Sequence, residues 1–163
     1  MSFFSYRHRP PGVPRTPDWT IPALLALLLV PWSVQVFSGR DATFVFAWGL
    51  LNTNPLQVTN LYDFLFVYTM GLPEYIYSWP LSVVLYVFAV GFAVIAPTVG
   101  YEDRRVVAGL LATAGVAQLS FAQGFSFQPG RTAWPVGTVL MLGIAAYIYG
   151  IGRNTERDRS SEN

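Results

Sequence analysis

Charge-free runs divide the chain. No charged residue falls between Trp19 and Gly39, and the middle of that run reads IPALLALLLVPWSVQVF. A run of this length is near the minimum that crosses a bilayer as a helix. Pro22 would sit in its first turn, where a missing N–H costs nothing, and Pro31 would kink it. The stretch Tyr75 to Tyr101 is the longest uncharged run, with WPLSVVLYVFAVGFAVIAPTVG at its centre. Val106–Phe127 and Trp134–Gly152 follow, separated by the turn QPGRT. The pattern predicts an all-α fold, an integral membrane four-helix bundle with spans at about 19–38, 79–100, 106–127 and 133–152. A cleaved signal peptide is the rival reading of the first span. Ser38 is a mediocre cleavage position and no A-x-A pattern precedes it, so an uncleaved anchor is expected.

Residues 40–78 fit neither a span nor an ordinary loop. Two short apolar pieces, TFVFAWGLL and FLFVYTMGL, flank the polar turn NTNPLQVTN. About 10 residues of helix cover only about 15 Å, so the segment is expected as short interfacial or re-entrant helices on the outer side. Counting Leu61–Tyr77 as a fifth span would bring Asp63 and Glu74 into or near hydrocarbon and move Arg104 and Arg105 outside. With four spans, Arg7, Arg9, Arg15, Arg104, Arg105, Arg153, Arg157 and Arg159 share one side, against Arg40 and Arg131 on the other. Basic residues near span ends favour the cytoplasm. The expectation is therefore a multi-pass protein of the cell membrane with both termini cytoplasmic. Arg104, Arg105 and Arg153 anchor the inner side, while Trp79 and Trp134 mark the outer interface. Residues 1–18 read as a Pro/Arg-rich tail and 153–163 as a disordered polar tail.

Composition agrees with a membrane class. Hydrophobic residues make up 53% of the 163, and charged residues 12%, about half the share usual in soluble domains. A net charge of +1 gives no reason to expect nucleic acid. The absence of cysteine excludes disulfides and thiolate chemistry. All ten basic residues are Arg, which reflects a GC-rich codon usage and not a mechanism.

Small residues suggest how the helices meet, because close backbone approach drives association in lipid. Ala89, Ala93, Ala96 and Gly100 share one face of the second span; Ala108, Ala112, Gly115 and Ala122 form a similar seam on the third. Gly143, Ala146 and Gly150 continue it on the fourth, and Gln118 and Gln123 are expected to face the bundle interior.

Chemistry is sparse. The single histidine, His8, lies in the tail between two arginines, no carboxylates cluster at ligand spacing, and no phosphate loop or nucleophile–base pattern is present. No metal or cofactor is expected. Asp63, Glu74 and Arg131 remain as a candidate outer-face cluster, with Asn52, Asn54 and Asn60 as possible lining. An Arg–carboxylate bridge there would pin the outer segment to the bundle or form a small site. The leading functional expectation is a non-enzymatic accessory or assembly subunit that contacts lipid and another membrane protein or its own copy. A small oligomeric transporter or channel is the alternative. An outer-leaflet enzyme, with Asp63 or Glu74 as base and Arg131 on an anionic group, is the third.

Three stretches, DFLFVYTMGLPEYIYSWPLSVVLY, EDRRVVAGLL and FAQGFSFQPGRTAWPVGT, resemble a family of small, uncharacterised multi-span membrane proteins of halophilic archaea. The likeness covers roughly residues 60–140. It implies location and lineage, and no activity.

Overall fold

A computed structural model describes residues 17–39, 41–68, 71–101 and 103–161, with side chains as far as Gly150. The tail prolines and arginines up to Arg15, His8, and Arg40 lie outside the described residues. The chain opens with a short helix, α1 (Thr20–Ala26), that buries Leu24. Loose turns carry it to Pro31, whose ring fixes φ and disfavours helix for the residue before it. The polypeptide then extends.

SVQVF forms strand β1 (Ser33–Phe37), followed by β2 (Ala42–Val45), β3 (Gly49–Thr53) and β4 (Leu56–Asn60). Helix α2 (Leu61–Phe66) and a single 3-10 turn at Glu74–Tyr77 lead into α3 (Ser78–Val99). Helix α4 (Arg104–Ser126), strand β5 (Arg131–Trp134) and α5 (Val136–Ser161) complete the order. The strands form one five-stranded antiparallel sheet, β4-β3-β2-β1-β5.

The expected all-α four-helix bundle is thereby corrected to an α+β fold. In place of a helix over 19–38 there are seven helical residues and a strand. The segment 40–78, expected to be helical, supplies three strands, a six-residue helix and one 3-10 turn. Both errors have one cause: apolar content alone does not separate helix from strand. The β-branched alternation of SVQVF, and two runs joined across Asn54-Pro55, favour extended pairing once sheet partners exist.

Helix α4 is the centre of the helical layer, with α3 and α5 on either side. Gly115 lets α5 approach closely: a Cβ there would meet Met141 and Leu142 at 3.3 Å. Hydroxyls reinforce the contacts, Ser82 donating to the Ala114 carbonyl at 2.8 Å and Thr138 to that of Gly115 at 3.0 Å. Tyr86 donates to the Leu24 carbonyl at 2.6 Å and so ties α1 to α3. Helix α3 ends where Gly100 turns left-handed at φ 77°, with the Tyr101 N–H returning to the Ala96 carbonyl. Asp103 caps α4 by accepting from the Arg105 N–H at 2.8 Å.

Two of these helical stretches, Glu74–Val99 and Arg104–Ser126, are long and apolar enough to cross a membrane. The apolar part of α5, Val136–Gly150, is shorter. The sheet lies at the end of the layer where α3 begins, α4 finishes and α5 starts. A second small core forms at that junction from Val45, Leu50, Ile76, Trp79 and Phe121.

Candidate functional site

The register of the sheet builds a row that no single strand contains. Gln35 pairs with Thr43, Thr43 with Asn52, and Asn52 with Gln57, so four polar side chains stand side by side across four strands. Side chains two apart share a face, which adds Phe37 and Thr59, while Arg131 is opposite Phe37 on the neighbouring strand. The alternate positions carry Val34, Val36, Phe44, Leu51, Leu56, Val58 and Trp134. Antiparallel sheets with one solvated face usually turn apolar residues inward. Here the inward face mixes the polar row with the buried Val45 and Leu50, and Val36, Leu56, Val58 and Trp134 are exposed on the back.

The polar row faces an aromatic wall across a cavity of about 390 Å³. Phe64 of α2, Tyr68, Tyr75 and Ile76, Trp79 of α3, and Phe121 and Phe125 of α4 supply that wall. Trp79 is fully buried and donates its indole N–H to the Phe46 carbonyl at 3.0 Å, clamping α3 to the sheet. Its ring also lies 5.6 Å from Phe64 and 6.0 Å from Phe121. Tyr75 sits directly over Gly124, where an added Cβ would fall 2.4 Å from Tyr75 Cβ. Its phenol oxygen accepts from Gln128 Nε2 at 2.8 Å, so its own proton is free to donate.

Arg131 is at the mouth. Its guanidinium carbon lies 5.6 Å from the Phe37 ring centre and 5.4 Å from that of Phe125, and one N–H donates to Gln128 Oε1. These contacts hold the planar fork by cation–π attraction. Among the described residues the lining holds no carboxylate, thiol or imidazole. It offers hydrogen bonds, ring faces and one positive charge.

The structure does not assemble the Asp63, Glu74 and Arg131 cluster. Asp63 lies in the first turn of α2, where Asn60 Oδ1 accepts its backbone N–H and Asn60 Nδ2 donates to Oδ2, both at 2.7 Å. That is a helix cap. Glu74 is exposed in the first turn of the 3-10 helix, and neither acid lines the cavity. Of the three asparagines only Asn52 lines it; Asn54 donates to Asp41 Oδ1 at 3.1 Å, and Asn60 is the cap. Gln35, Thr43, Gln57, Thr59 and Tyr75 escaped the sequence reading. For the four strand residues the signal was an alternation hidden inside stretches read as helix or as polar turn.

The other singled-out residues are placed as follows. Ala89, Ala93, Ala96, Ala108, Gly115 and Ala122 are buried, Ala112 is half-buried, and Gly100 is an exposed cap. Gly143 and Gly150 border open space. Gln118 is fully buried and both its amide atoms lack a partner, whereas Gln123 is exposed. Arg104 is buried, Arg105 exposed, and Trp134 exposed; the side chain of Arg153 lies outside the described residues.

No curated protein matches this sequence. One family profile does, over residues 7–159 and hence nearly the whole chain. The chain belongs to the uncharacterised family described as a domain of unknown function, DUF8050.

Proposed function

We propose that this chain is an integral membrane protein that does no chemistry of its own and serves as a partner-binding or assembly subunit. Helices α3, α4 and the apolar part of α5 sit in lipid, and the sheet lies at the outer surface. The supporting observation is the exposure of α3. Only 28% of its most apolar stretch is buried, and Leu81, Val84, Val87, Phe88, Val94 and Ile95 all face outward. A core helix of a water-soluble protein hides such a surface; a helix in lipid has no need to.

The arginines support one orientation. Arg104 and Arg105 begin α4, and Arg153, Arg157 and Arg159 fall near the end of α5, all at the end of the layer away from the sheet. The positive-inside bias then puts that end in the cytoplasm and the sheet outside. The resemblance of residues 60–140 to multi-span proteins of halophilic archaea supports the same reading. The partner is another membrane protein or a second copy, meeting the exposed apolar back of the sheet or the helix flanks.

Two measurements test it. The protein should stay in the membrane pellet through alkaline carbonate extraction. A cysteine placed at Thr53, an exposed position on the β3–β4 hairpin, should react with an impermeant thiol reagent applied to intact cells. Release by carbonate, or labelling only after lysis, contradicts the placement. Recovery of nothing but the monomer in mild detergent contradicts the subunit role.

A further inference from the structure

We infer that the cavity between the polar row and the aromatic wall is a binding site for a small organic carboxylate carried on a hydroxyl-rich body. Three observations converge on it. The first is the kind of polar group. Gln35, Asn52 and Gln57 each carry an amide that donates and accepts at once, the complement of a hydroxyl, which does both. Thr43 Oγ1 donates to Asn52 Oδ1 at 2.7 Å, which leaves the Asn52 amino group free to donate.

The second is Gln35. It is only 6% exposed, and its amide atoms are accessible from the cavity that it lines. An amide open to the cavity both donates and accepts, so it can exchange hydrogen bonds with a ligand hydroxyl there.

The third is charge. Among the described residues Arg131 is the one charged residue of the lining, a positive centre for an anion. One of its N–H groups serves Gln128. The remaining donors of the planar fork match a carboxylate in bidentate geometry. Phe64 and Tyr75, half-buried in the wall, cover the apolar face of such a ligand, as ring walls do in small-molecule sites, and 390 Å³ is within the usual size of one.

The inference is independent of the membrane placement: carbonate extraction leaves it untouched, and a failed titration leaves the placement untouched. The full chain in detergent micelles is titrated with glucuronate, gluconate and N-acetylneuraminate, followed by ligand-observed NMR. Glucose, sorbitol and N-acetylglucosamine serve as uncharged counterparts. At least one acid is expected to bind with Kd below about 1 mM, at least about tenfold tighter than its counterpart, the discrimination expected from about 1.4 kcal/mol. Arg131→Gln, at an exposed position, should abolish that preference while the protein keeps its folded circular dichroism spectrum. Gln57→Leu, on the exposed edge strand, should weaken acid and neutral partner alike. The inference is overturned if no acid binds, if acids and neutral counterparts bind equally, or if Arg131→Gln keeps the preference.

Discussion

Replacing Gly137 by alanine should loosen the joint between the helical layer and the sheet. The added Cβ would lie 2.7 Å from Trp32 Cα, 2.8 Å from its Cβ and 3.0 Å from its Cγ. Carbon atoms in good contact sit about 3.5–4.0 Å apart, so one side has to retreat by roughly 1 Å. Neither side is free to. Gly137 donates its N–H to the Trp32 carbonyl at 2.7 Å, and Trp32 donates its own N–H to Val45 at 2.6 Å. The indole N–H is committed to the Leu27 carbonyl at 2.9 Å, and the ring meets Tyr86 edge-on at 5.2 Å. Forcing a methyl group into such packing costs about 1–3 kcal/mol.

Gly143 is the control in the same helix, since a Cβ there meets nothing within 4 Å. There, Gly→Ala should gain up to about 1 kcal/mol of helix propensity. A change of 1 kcal/mol moves the melting midpoint by about 2–4 °C in a chain of this size. Gly137→Ala should therefore melt about 2–12 °C below the wild type, and Gly143→Ala at or slightly above it. Circular dichroism melts of the purified protein in one detergent read both. Equal midpoints, or Gly137→Ala the more stable, would refute the reasoning.

Other consequences follow from single contacts. Trp79→Phe leaves the Phe46 carbonyl without its donor and should cost about 1–3 kcal/mol, read as a lower midpoint in the same melt. Gln118→Leu removes an amide whose two polar atoms are buried without partners, so the variant should melt at or above the wild type; a fall of more than about 4 °C would show that the amide is used. Asn60→Ala removes the cap of α2 and should cost about 1 kcal/mol, with faster amide exchange confined to residues 61–66.

Helices α3 and α4 were readable because charges bracket them: Glu74 and Glu102 enclose the run that became α3, and Asp103 both ends that turn and caps α4. Hydrophobic bookkeeping could not see the sheet. Over residues 32–37 a strand and a helix have the same apolar content, and the decisive neighbours, Thr43, Asn52 and Arg131, lie elsewhere in the chain. The site was half legible for the same reason. Arg131 and Asn52 stood out as polar residues in an apolar sequence, but Gln35 acquires meaning only when register places it beside Thr43. Asp63 drew notice as an acid that could meet Arg131 at the outer face, while the Asn60-x-x-Asp63 spacing is that of a helix cap.

The central claim is that the bare flank of α3 faces lipid. Val84, Phe88 and Ile95 are 49%, 61% and 60% exposed along that flank. Each is replaced in turn by cysteine, spin-labelled and reconstituted in liposomes, which the cysteine-free chain permits without background. Collision rates with oxygen, which concentrates in the bilayer, are then compared with those of a water-soluble nickel chelate. High oxygen and low nickel accessibility at all three positions is the expected result. Nickel accessibility that dominates at these positions would place α3 in water and contradict the membrane placement.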